Sequence, residues 1–287
     1  MDVVAASWAG TEFVHVPPGG FVMGSTAGDP LAWGYEHPRH TVVLDYGYWI
    51  GRTPATNEQF AGFVEATGHV TRAEEEGWAF VFDPATERWE RTPGASWRHP
   101  TGPAGDAGRL SDHPVVSVSW HDARAYCEWF DECCGADLPD GLGVRLPGEA
   151  GWEKAARGPD GPVYPWGDRF EPAYCNHIES PARATVPAAT LPPASESVYG
   201  AAAMSGNTWD WTTTLWGAVR DEAQFSYPYD PADGREDLAA SDDVFRIIRG
   251  GSFKNEPQAC RSACRDLDPP GWSLNNLGFR PVLAPPR

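Results

Sequence analysis

Cys260 and Cys264 stand four residues apart, and each is followed directly by an arginine, Arg261 and Arg265. On one helical turn both thiols would share a face, forming a dithiolate site suited to a soft metal such as copper. The neighbouring guanidiniums would pull the thiol pKa values down. The same residues also fit inert packing. Upstream, Arg249-Gly250-Gly251-Ser252 places a hydroxyl just after a double glycine, either presented by a tight turn or simply forming it. Arg249, Arg261 and Arg265 near Trp97, Phe253 and Trp272 suit a cleft that takes a carboxylate or peptide carbonyl through bidentate hydrogen bonds. The alternative is internal pairing with the many acids. Histidine offers two looser patterns, Glu36-His-Pro-Arg-His40 and Cys175-Asn-His177. Neither has the spacing of a zinc finger or a zincin helix, and structural or exposed histidines are the plainer reading.

The chain that must position these groups has 287 residues, with 14 Trp, 9 Tyr, 31 Gly and 28 Pro. That composition implies many turns pinned by aromatic anchors and few long helices. A formal net charge of -18 argues against nucleic acid and anionic membrane partners. The first ten residues lack the basic and apolar regions of a signal peptide, and no apolar run approaches ~20 residues. These features read as a cytoplasmic, monomeric protein with no nucleotide cofactor. Six cysteines in this length do not make a disulfide scaffold.

The elements follow from local pattern. Residues 11–25 read as a hairpin with Gly19-Gly20 at its corner, and His40 to Arg52 as strand. Thr56 caps a helix over Asn57 to Thr67, stopped by Gly68. Trp78 to Phe82 forms a short strand. Residues 72–113 otherwise make a long excursion. Pro114 to Trp120 reads as a strand, and His121 to Phe130 as a helix with Cys127 in the core. A further helix starts near Glu149 and ends at Gly158. Val244 to Ile248 is a strand entering the Gly250-Gly251 turn. Residues 217–243 are acidic and turn-rich. With no fixed-period repeat, the expectation is one α+β domain over 1–287.

Nine segments, in this order, resemble the formylglycine-generating enzyme family, also called sulfatase-modifying factors. They are Phe21-Val-Met-Gly-Ser25, Thr53-Pro-Ala-Thr-Asn57, Trp97-Arg-His-Pro-Thr-Gly-Pro103 and Asp112-His-Pro-Val-Val-Ser-Val-Ser-Trp120. Next come Arg145-Leu-Pro-Gly-Glu149 with Trp152, Tyr164-Pro-Trp-Gly167, Gly206-Asn-Thr-Trp-Asp-Trp211, Arg249-Gly-Gly-Ser252 and Asn276-Leu-Gly-Phe-Arg280. The resemblance implies a C-type-lectin-related α+β domain with little regular structure. It also implies oxidation of a peptide cysteine to formylglycine by O2 and a Cu(I) held by two thiolates. Ser252 and Cys260 fall on expected catalytic positions. The first copper cysteine falls on Asn255, an amide that cannot replace a thiolate.

The family also implies structural Ca2+. One site would use Asn176, the His177 carbonyl and Glu179; another the Gly206 and Thr208 carbonyls and the Asp210 side chain. Trp97, Arg98, Arg249, Arg261, Arg265 and Trp272 are the expected substrate-binding residues. Three readings follow. In the first, a divergent oxidoreductase acts on an amino-acid or peptide substrate with O2, using copper or iron. In the second, the fold serves as a non-catalytic binding module. In the third, a true formylglycine generator works through an altered copper site, such as Cys260 with Cys264.

Overall fold

The computed structural model describes residues 3–8 and 10–286. The chain opens with β1 (Ala5–Trp8), β2 (Thr11–Val16), β3 (Gly19–Met23), β4 (His40–Leu44) and β5 (Tyr48–Gly51). Two helices follow, α1 (Asn57–Thr67) and α2 (Arg72–Glu76), then the hairpin β6 (Trp78–Asp83) and β7 (Arg88–Pro93). Helix α3 (Trp120–Cys134), β8 (Gly143–Arg145) and α4 (Glu149–Arg157) complete the first half. A long run of turns then leads to β9 (Trp209–Gly217), β10 (Phe245–Arg249), β11 (Arg265–Asp268), β12 (Leu277–Gly278) and β13 (Val282–Ala284).

Two sheets organise these pieces. One has the order β1-β2-β5-β13-β8, so the C-terminal strand lies between strands of the first half. The other has the order β11-β10-β9-β12; β12 runs parallel to β9, and the other pairs in it are antiparallel. The expected hairpin over 11–25 does not form. β2 pairs with β1 and β5, whereas β3 pairs with β4 in a separate ribbon. Pro17-Pro18 lies between β2 and β3, and the chain changes sheet there instead of folding back. The expected strand after Pro114 is also absent. That stretch is extended but makes only an isolated bridge, Pro114 with Thr56, before the Ser119 cap of α3.

The helices follow their caps. The Thr56 side chain accepts from the Gln59 N–H while Gln59 reaches back, and Gly68 closes the helix with φ 70°. α1 and α3 pack through Phe60, Phe63, Tyr126 and Phe130, with Phe279 against them. Cys127 is buried in that core, as its spacing predicted. A second apolar cluster joins Phe21, Met23 and Tyr48 to Trp152 on α4.

β9 is buried along its whole length although it carries Thr212, Thr213 and Thr214. Their hydroxyls have partners: Thr212 donates to the Ile247 carbonyl, and Thr213 and Thr214 bond to Glu236. Burial of these polar groups therefore carries little penalty.

Candidate functional site

β10 delivers Arg249 to the turn Gly250-Gly251, where φ is 107° and 74°. A Cβ on Gly251 would stand 2.8 Å from the Ala259 carbonyl oxygen and 2.9 Å from Cys260 Sγ, so only glycine fits this crossing. Beyond it, Ser252 Oγ donates to Asn255 Oδ1 at 2.6 Å and accepts from Asn276 Nδ2 at 2.8 Å. The three side chains make one hydrogen-bonded floor, with Asn255 in the position the resemblance assigns to a copper thiolate.

Asn276 leads from this floor into a cavity of about 410 Å³, a size typical of small-molecule sites. Phe80, Trp89 and Trp272 supply aromatic wall, and Lys254, Asp266 and Asp268 supply charge. Asp266 and Asp268 alternate along β11, which puts both on one face. Burial pushes the Asp268 carboxyl up to about 7, helped by the neighbouring Asp266 carboxylate. Asp266 is raised for the same first reason. Burial lowers the Lys254 ammonium from its ordinary value. Lys254 instead lies 5.3 Å from the Trp89 ring centroid and 5.6 Å from that of Phe82.

The arginines expected in the cleft do not line it. Arg249, Arg261 and Arg265 are turned inward and are at most 1% exposed. Glu149 binds Arg265 at 2.7 and 2.8 Å and Arg249 at 3.3 Å. Glu153 takes the other Arg249 nitrogen, and Glu36 takes Arg261 at 2.6 and 2.7 Å. Burial works to lower the Arg249 pKa; the Glu153 and Glu149 carboxylates outweigh it and hold the guanidinium firmly charged. The correction has a simple cause: these guanidiniums are spent on carboxylates inside the fold. Trp97 and Arg98 also lie elsewhere, at a separate cavity of about 560 Å³ beside α1. Trp97 is a core residue against Phe60. Only Trp272 of the expected substrate residues reaches the cleft.

The thiols are corrected as well. Cys260 and Cys264 have no exposed surface. The Cys260 thiol hydrogen-bonds to Cys175, and that contact and burial push its pKa well up. Burial does the same to Cys264, with Glu36 adding to it. The flanking arginines do not produce thiolates because their charge is committed to Glu36 and Glu149. With Asn255 bonded to Ser252 and Cys260 bonded to Cys175, the residues at the family's copper position do not fit a two-thiolate ion.

The expected calcium donors are also engaged. Asp210 Oδ2 accepts from Arg280 Nε at 2.6 Å and from Trp152 Nε1 at 2.8 Å, so a guanidinium already neutralises it. The Asn176 carbonyl accepts from the Asn207 N–H, the His177 carbonyl from the Ser180 N–H, and the Glu179 side chain lies exposed. The Gly206 carbonyl accepts from the Thr208 N–H at 2.9 Å. The free buried oxygens here are Asn176 Oδ1, Asp210 Oδ1 and Thr208 Oγ1, short of the six to eight that Ca2+ takes. Among the described residues no cluster of three His, Cys, Asp or Glu side chains stands ready for a metal.

Sequence reading missed Lys254, Asp266 and Asp268 as site residues, and it took Cys175 only with His177 and not with Cys260. The Asp-x-Asp alternation after Arg265 was the available signal, since period two puts both acids on one face of a strand. Nothing in the spacing brings Cys175 to Cys260.

A low-regularity α+β domain, with two small sheets holding an Arg-Gly-Gly-Ser turn at the edge of an aromatic cleft, defines the class of fold. PvdO from Pseudomonas aeruginosa shares it at a TM-score of 0.69 and 23% identity, covering 96% of this chain and 94% of that one. CarF shares it at 0.59 and 21%, covering 96% and 98%. The family model for the sulfatase-modifying factor enzyme 1-like domain matches residues 3–285. The chain belongs to that family. It is 34% identical to the formylglycine-generating enzyme of Thermomonospora curvata, covering 95% of this chain and 93% of the relative. It is 32% identical to the Bos taurus enzyme, covering 94% and 74%. It is equally similar, at 33% over 93% and 84%, to the inactive C-alpha-formylglycine-generating enzyme 2 of Mus musculus.

Proposed function

We propose that this chain is a divergent oxidoreductase of the family, acting with O2 on an amino-acid or peptide-derived substrate in the Lys254 cleft. In this reading it does not convert cysteine to formylglycine through a two-thiolate copper. The observation that supports it is the Ser252-Asn255-Asn276 floor beside the Lys254 cleft, with an amide where the resemblance expects a copper thiolate. The net change would remove two electrons and two protons from the substrate and reduce O2 to H2O2. Asp268, poised near neutrality, suits one of the proton transfers. The protein would work as a cytoplasmic monomer.

A second reading, ligand binding without turnover, draws on the buried, protonated Cys260 and on the similarity to inactive relatives. Oxygen-electrode measurements with cysteine-containing peptides and free amino acids, paired with metal analysis, decide between them. O2 uptake retained in Cys260→Ser supports the oxidoreductase reading. Saturable binding with no uptake replaces it with the binding module. Stoichiometric copper lost in Cys260→Ser would restore formylglycine generation.

A further inference from the structure

Four of the fully buried arginines are closely matched by carboxylates, while buried Arg246 and Lys154 rest on backbone carbonyls. Arg249, Arg261, Arg265 and Arg280 each have a carboxylate oxygen within 2.7 Å. The cleft breaks that pattern. Lys254 has no carboxylate within 4.0 Å among the described residues, and Asp266 no cation. Asp268 has only the half-exposed Arg220, at 3.4 Å. Asn276, 1% exposed, lines the same cavity and leaves its Oδ1 without a hydrogen-bond partner. Half-buried charges of both signs without close partners are poorly compensated, and a ligand carrying both opposite charges would satisfy them together.

The walls add a third requirement. Phe80 and Trp272 pack at 4.8 Å between ring centroids, and Trp272 is 39% exposed at the mouth. Such a wall favours a planar apolar group with its ring stacked or edge-on.

We propose that the cleft binds an aromatic amino acid as its zwitterion. Asp266, Asp268 and the free Asn276 Oδ1 receive the ammonium, Lys254 receives the carboxylate, and Phe80 with Trp272 receives the ring. This rests on the reading of the cleft as the substrate site, and it narrows the substrate class. The carboxylates take the cation because they sit side by side on β11, whereas Lys254 approaches from the loop after Ser252.

Isothermal titration of the whole protein with phenylalanine, phenethylamine and 3-phenylpropionate tests it. Phenylalanine should saturate the site, and each analogue lacking one charge should bind about tenfold more weakly or worse, as loss of a charge-assisted hydrogen bond implies. Asp268→Asn should weaken phenylalanine and phenethylamine and spare 3-phenylpropionate; Lys254→Met should do the reverse for the two analogues. Trp272→Ala, at an exposed position, should weaken all three without unfolding the chain. The proposal is overturned if phenylalanine does not saturate, if 3-phenylpropionate equals it, or if both charge variants bind as the wild type does. Binding with this pattern but no O2 uptake keeps the subsite and removes the oxidoreductase reading. Uptake confined to substrates without an ammonium does the opposite.

Discussion

Glu149 holds both arms of the cleft. Its carboxylate takes Arg265, the residue before the Asp266–Asp268 pair, and Arg249, the residue before Gly250-Gly251-Ser252. All three side chains have zero exposure. Glu149→Gln keeps the shape and an amide oxygen but removes the charge that two buried guanidiniums share. Breaking a buried pair in this way costs about 3–5 kcal/mol. At ~2–4 °C per kcal/mol for a chain of this size, the melting temperature should fall by roughly 10 °C. Urea unfolding followed by tryptophan fluorescence reads the free energy, and calorimetry reads the temperature. The refuting result is a loss below ~1 kcal/mol. It would mean that the backbone carbonyls of Tyr35, Ser262 and Ala263, which also accept from these arginines, satisfy them without the carboxylate.

Three further outcomes are expected. Gly206→Ala forces a Cβ to 2.4 Å from the Asn176 carbonyl oxygen at φ 70°; it should cost at least ~2 kcal/mol in urea, and an unchanged midpoint would reject that geometry. Asp268, faced by Asp266, Arg220 and Lys254, has its folded pKa raised to about 7. The folded state therefore binds more protons than the unfolded state, and this group's contribution to stability falls as pH rises from ~4 to ~7. Asp268→Asn should thus be more stable relative to wild type at pH 8 than at pH 5, and equal differences at both would contradict the assignment. Iodoacetamide on the native protein at pH 7.5 should label the exposed Cys133 and spare Cys127, Cys175, Cys260 and Cys264; rapid labelling of Cys260 would refute its protonated, buried state.

What sequence could disclose depended on how local the signal was. The Thr56 cap, the α3 stripe through Cys127 and the Gly250-Gly251 turn rest on neighbouring residues, and all three stand as read. The absent 11–25 hairpin shows the limit, because strand pairing is decided by β1, β4 and β5 rather than by the turn. Charge partners are equally non-local. Arg249 and Glu149 are 100 residues apart, so the arginines looked available to a substrate when they were already paired. Cys260 and Cys175 are separated by 85 positions, and proximity to Arg261 suggested a thiolate that burial forbids. The family motifs located the floor of the site because they mark the turn itself. The cleft chemistry at Lys254, Asp266 and Asp268 lies between those motifs.

Oxygen uptake by the purified protein with amino-acid and peptide substrates, compared between wild type and Cys260→Ser, bears most directly on the central claim. The prediction is uptake that survives the substitution, with no stoichiometric copper lost. Uptake abolished in Cys260→Ser together with bound copper, or no uptake with any such substrate, would contradict it.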